Sequence, residues 1–165
     1  MFTNQLVDTD ANGKSVYGES PFKAVKDLIL TGDQATVNPP IFTITGSVLV
    51  GRLWGVVTTD IGVNHTAASF RINDQTAQVY LTAIGGTTLS AIKAGSLIVK
   101  KDLVAVSEPT TLETMLFSPF IITKKTAAVT QIEYKYSTTD HPTTGAIRFY
   151  ISYYPLSDDG LIQAA

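Results

Sequence analysis

The chain has 165 residues, 44% hydrophobic and 16% charged, with twelve Lys plus Arg against fourteen Asp plus Glu for a net charge of -2. This is one domain's length with enough apolar surface to build a core, which excludes a disordered chain. The absence of a basic excess argues against nucleic acid as a partner. There is no cysteine, so disulfides, zinc-thiolate sites and thiol nucleophiles are excluded. No run approaches the roughly eighteen apolar residues that span a bilayer, and Met1-Phe2-Thr3-Asn4-Gln5 lacks the basic and apolar parts of a signal peptide. Neither a membrane nor export is expected.

Residues 1–40 read as an N-terminal arm, rich in Asp, Asn and Gly and closed by Pro39-Pro40, which favours extended backbone. Within it, 21–30 is expected as a short helix: Ser20 is a fitting N-cap, Pro21 a fitting first position, Phe22, Val25 and Ile29 share a helical face, and Gly32 is a stop. The alternative is an extended segment pairing with a sheet edge, because Leu28-Ile29-Leu30 also suits a strand and the helix is marginal by length.

From Ile41 the period changes to two, carried by β-branched and aromatic residues, so 41–165 is expected as an all-β body. Ile41–Thr59 reads as two strands with Phe42, Ile44, Val48, Val50, Trp54 and Val56 on one parity, and with Gly46, Gly51 and Gly55 suggesting bends or bulges. Ala68–Ile72 and Ala77–Thr82 flank Asn73-Asp74-Gln75, a turn-forming trio. Ser96–Lys100, Leu103–Ser107, Met115–Thr123, Val129–Ser137 and Ala146–Tyr154 follow. The total of about eight or nine strands suits an antiparallel β-sandwich or jelly roll. In Val129–Ser137, Thr130, Ile132, Tyr134 and Tyr136 form the buried parity and Gln131, Glu133 and Lys135 the wet one. In Ala146–Tyr154, Ile147, Phe149, Ile151 and Tyr153 face one way; Arg148, Tyr150, Ser152 and Tyr154 make an amphipathic second face suited to contact.

Few motifs point to chemistry. Asp8-Thr9-Asp10-Ala11-Asn12-Gly13 with Glu19 at the twelfth position matches a calcium loop in its oxygen donors and turn glycine. Against it, seven residues are too few for an entering helix, Ser15 replaces the usual aliphatic residue, and an ordinary polar turn looks the same. No metal site is therefore assigned. His65 and His141 fall in expected loops without the companions a zinc site needs, and read as exposed or hydrogen-bonded loop histidines. Asn64-His65-Thr66 fits a glycosylation acceptor, a triplet common by chance. Nucleophile elbows, phosphate loops and zinc-protease or dinucleotide signatures are missing from the sequence. Carboxylates for a glycosidase exist (Asp60, Asp74, Asp102, Glu108, Glu113, Glu133, Asp140, Asp158, Asp159), mostly in turns. Trp54, Tyr80, Tyr150, Tyr153 and Tyr154 are candidates for a sugar-stacking platform or for core and interface packing. Aromatic residues on both parities of the final strand favour a strand covered on both sides, one side by another subunit.

Val48-Leu49-Val50-Gly51-Arg52-Leu53-Trp54-Gly55-Val56-Val57-Thr58-Thr59, Ala68-Ser69-Phe70-Arg71-Ile72-Asn73-Asp74, Ala94-Gly95-Ser96-Leu97-Ile98-Val99-Lys100 and Pro155-Leu156-Ser157-Asp158-Asp159-Gly160 resemble segments of tailed-phage and prophage virion proteins. The likeness is to head-associated proteins of the capsid decoration, or cement, type and spans most of 41–160. It implies a non-enzymatic homo-oligomer without cofactors, made in the host cytoplasm and seated on the virion's outer surface, where it clamps major capsid protein subunits. An arm of that kind would dock Phe2, Leu6, Val7, Val16, Tyr17 and Phe22 on the body, a sister subunit or the capsid. Arg148, Tyr150 and Tyr154 would line an intersubunit surface. A tail or baseplate subunit, or a receptor-type glycan-binding module, would use the same architecture, and a glycan-acting hydrolase is the remaining class.

Overall fold

A computed structural model describes residues 22–31, 38–82, 88–100, 107–110, 119–123, 129–137 and 142–165. These residues form strands and turns with no helix among them. The strands are β1 (Phe22–Ile29), β2 (Pro40–Thr45), β3 (Ser47–Thr59), β4 (Ser69–Asn73), β5 (Gln78–Tyr80), β6 (Leu97–Lys100), β7 (Ser107–Thr110), β8 (Phe120–Thr123), β9 (Thr130–Lys135), β10 (Ala146–Pro155) and β11 (Leu161–Ala164). Every pairing is antiparallel.

Two sheets result. The larger runs β1-β10-β3-β6-β7, with β8 on the first part of β3, and the smaller runs β11-β2-β9-β4-β5. Without the additions β7, β8 and β11, the orders β1-β10-β3-β6 and β2-β9-β4-β5 are those of a jelly roll: in chain order of the eight strands, 1-8-3-6 faces 2-7-4-5. The expected all-β sandwich is thus present.

The core lies between the sheets. Phe70 and Tyr134 from the smaller sheet meet Phe149 from the larger at ring-centroid distances of 5.8 and 5.0 Å. Ile147 and Phe149 sit so close over Gly55 that a Cβ there would lie 2.9 Å from each, which explains a glycine in the middle of the longest strand. Gly46, with φ +59, turns the chain from β2 into β3 and so divides the Ile41–Thr59 run into the two expected strands.

Of the two readings of 21–30, the helix is overturned and the extended segment pairing with a sheet edge is the one present, as β1. As a strand, this segment pairs all eight residues with β10, a gain that an isolated short helix could not match. Ala24 and Leu28 then pack against the core from alternate positions. Part of the segment read as an arm is therefore an edge strand of the body. Among the described residues the strands number eleven, because β1, β7 and β11 join those expected. The last two are four residues each, too short for periodicity to reveal, and β7 holds Pro109. Of the expected strand Leu103–Ser107, only Ser107 lies within the described residues.

Candidate functional site

The most distinctive surface arises from one irregularity in β3. Val50 pairs with Tyr153 and Arg52 with Ser152, so Gly51 is an extra residue without a partner on β10. Such a bulge reverses the side-chain alternation beyond it. Val48 and Val50 point into the core before the bulge; Leu53, Gly55 and Val57 do so after it. The single parity expected for Val48, Val50, Trp54 and Val56 is thereby corrected: Trp54 and Val56 are turned to the outer face of the sheet.

There, the register aligns Val25, Tyr150, Trp54 and Val99 in one row across β1, β10, β3 and β6. The rings of Trp54 and Tyr150 stack at 5.2 Å and 10°, in the geometry aromatic pairs favour. Val25 is 45% exposed, and Ile29 and Ile121 on the same face are 71% and 64% exposed. These are large apolar side chains left on the surface of a chain that has a complete core.

Charged rows flank the apolar one. On one side Asp27 faces Arg148, which donates from Nε to Oδ1 at 2.7 Å and from a terminal nitrogen to Oδ2 at 2.9 Å. That hydrogen bond lowers the Asp27 pKa and raises that of Arg148. On the other side lie Lys23, Ser152 and Arg52. The missing side chain at Gly51 opens a depression of about 400 Å³ between Trp54 and Tyr154, with Lys23 and Arg52 in its wall and no carboxylate in its lining.

Of the residues singled out from sequence, Arg148, Tyr150 and Tyr154 meet on this face. Phe22 does not; it lies at the sandwich edge against the inward Tyr153, ring centroids 5.7 Å apart. Phe2, Leu6 and Tyr17 fall outside the described residues, as do His141 and the calcium-loop residues Asp8, Asp10, Asn12 and Glu19. The five-ring platform is divided: Tyr153 is buried, and Tyr80 belongs to the other sheet. Lys23, Val25, Asp27, Arg52 and Ile121 were missed. Gly51, read as a bulge with its change of phase, is the signal that would have found Trp54's orientation.

The outer face of the smaller sheet is built differently. Glu133 accepts from Arg71 Nε at 2.5 Å and Asn73 Nδ2 at 2.8 Å, while Arg71 also donates to Gln78 Oε1 at 2.9 Å. Glu133 was expected on a wet face; it is 5% exposed, because facing positions on β4 and β9 let it close a network with Arg71. Lys135 lies 5.5 Å from the ring centre of Tyr80. Burial works to raise the Tyr80 pKa, but hydrogen bonds from Arg71 and Lys135 outweigh it and the phenol is lowered.

His65 lies in the loop before β4 and is hydrogen-bonded, as one of the two loop readings allowed, but it is fully buried. Its Nε2 is 2.7 Å from the Tyr134 hydroxyl, and burial pushes its pKa down from 6.5 to about 4. The neutral imidazole belongs to the core. The described acids are held apart in turns and pairs: Asp60 accepts from Lys93 Nζ and Ala94 N, both at 2.8 Å, and Asp74 accepts from the backbone of Thr76 at 2.9 Å. Among the described residues no three His, Cys, Asp or Glu side chains are grouped to hold a metal.

No family model, curated protein or solved structure matches this chain.

Proposed function

We propose that this chain is a structural protein that attaches to a repeating protein lattice through the outer face of its larger sheet, as a capsid decoration protein does on the major capsid protein. The observation that carries the reading is the outward-facing apolar row of exposed Val25 and half-buried Tyr150 and Trp54, bordered by charged rows. Exposed contiguous apolar surface with a polar rim is the usual anatomy of a protein interface, and aromatic residues dominate the energetics of such surfaces. The resemblance in the β3, β4 and β6 segments supplies the lattice: the outer surface of a phage head. On a repeating surface many modest contacts add up to firm retention.

The test is addition of purified protein to heads lacking it. Bound protein raises the melting temperature of the heads. Trp54→Ala raises the Kd for the heads roughly thirtyfold, the size expected when an aromatic anchor worth about 2 kcal/mol is truncated. An unchanged Kd of the variant, or no binding of the wild type, rejects the reading.

A second reading, an acidic-glycan-binding module, is favoured by one feature: the depression beside Trp54 combines aromatic walls with Lys23 and Arg52. Jelly rolls serve in lectins as well as in capsids, so the fold is neutral between them. Binding to uronate-containing oligosaccharides with absence from purified heads would select this second reading.

A further inference from the structure

β1 is the end strand of the larger sheet. It pairs with β10 on one side, and no other described strand pairs with its far side. Natural edge strands are normally guarded by bulges, prolines, brevity or charges, lysine above all. β1 has neither bulge, proline nor brevity, being eight residues in a register with β10 unbroken along its length, and its charges, Lys23, Lys26 and Asp27, are of mixed sign and leave it open to a strand of complementary charge. It also carries exposed Phe22 at 48% and Ile29 at 71%. A strand of this kind is a template for another strand.

We propose that β1 pairs antiparallel with β1 of a second copy of this chain, about a two-fold axis at Val25, joining the two larger sheets into one. The charges choose this register. Lys23, Val25, Asp27 and Ile29 all point to the outer face. A two-fold centred on Lys23 or Asp27 would set like charges across the axis. The one centred on Val25 sets Lys23 opposite Asp27 of the second copy, twice by symmetry. Lys23 has no ion-pair partner among the described residues, and Asp27, already held by Arg148, would stand between two cations. An in-register parallel pairing would again place Lys23 on Lys23. On the inner parity the same register brings Phe22 against Leu28 of the second copy.

The apolar row then runs unbroken from one copy into the next, and the pair presents two coplanar outer faces. The pairing holds whatever those faces meet, so its test is separate from that of the proposed function. The chain contains no cysteine, which allows single-cysteine mapping in the full-length protein. Facing Cα atoms in an antiparallel pair lie about 4.5–5.5 Å apart, within disulfide reach.

Light scattering is expected to show a dimer, and oxidised Val25→Cys a disulfide-linked dimer reversed by dithiothreitol. Ile121→Cys, on the same face but remote from β1, stays unlinked. Lys23→Cys mixed with Asp27→Cys cross-links, whereas Lys23→Cys alone does not. Lys23→Glu, at an exposed position whose folding is checked by circular dichroism, weakens dimerisation about tenfold by turning two facing attractions into repulsions. A protein that is monomeric at all concentrations, or a dimer in which Val25→Cys does not cross-link, overturns the proposal.

Discussion

The two outer faces of this sandwich have solved the problem of a solvent-facing sheet in opposite ways. On the smaller sheet, Arg71, Glu133, Asn73 and Gln78 satisfy one another, leaving a face whose charges are spent internally. On the outer face of the larger sheet, Asp27 and Arg148 are the one ion pair among the described residues, while Lys23, Arg52 and a row of apolar and aromatic side chains remain turned outward. One face is closed on itself and the other is open to a partner. The difference teaches that burial alone does not mark a functional surface: Glu133 is the more buried, and Trp54 the more informative.

The largest break in this contrast is expected from Glu133→Ala, which leaves Arg71 buried without its counter-charge and costs about 3–5 kcal/mol in urea unfolding. Arg71→Met combined with Glu133→Leu should recover most of that loss. If the single variant is as stable as the wild type, the network does not hold the smaller sheet's outer face.

His65 gives the next effect, with a pH signature. Because its folded pKa is about 4 against 6.5 when free, both states are neutral above pH 6.5, and the unfolded state alone takes up a proton as pH falls below that. Stability is therefore full above pH 6.5 and is lost towards pH 4, by about 3 kcal/mol over the whole window. His65→Gln should flatten the dependence between those pH values, and equal slopes for variant and wild type would contradict the assignment.

On the open face, effects on stability should be small. Trp54→Ala loses its stack with Tyr150 and costs about 1 kcal/mol, half of its effect on docking. Arg148→Ala, removing a solvent-exposed ion pair, should leave the thermal midpoint within error. A large loss of stability in either variant would mean that the outer face supports the fold instead of waiting for a partner.

Much of this architecture was legible in the residues. The division of Ile41–Thr59 into two strands, the hairpin around Asn73-Asp74-Gln75 and the two faces of Ala146–Tyr154 all followed from period and turn chemistry, since each is a local property. Arg148, Tyr150 and Tyr154 could be placed together because they alternate on one strand. Trp54 could not be joined to them because the bend or bulge suggested at Gly51 was not carried into the parity of the residues after it, and Glu133 looked wet because its partner Arg71 lies on another strand.

Composition and alternation, by themselves, determined a cysteine-free, antiparallel all-β body with an amphipathic final strand, because pleat and hydrophobicity are written residue by residue. Tertiary structure alone decided between helix and strand for Phe22–Ile29, turned Trp54 outward beside Tyr150 through a bulge, and enclosed His65 and Glu133. Each of those outcomes depends on what a neighbouring strand offers across the sheet or the core: backbone partners for β1, one residue fewer on β10 opposite Gly51, a phenol for His65 and a guanidinium for Glu133.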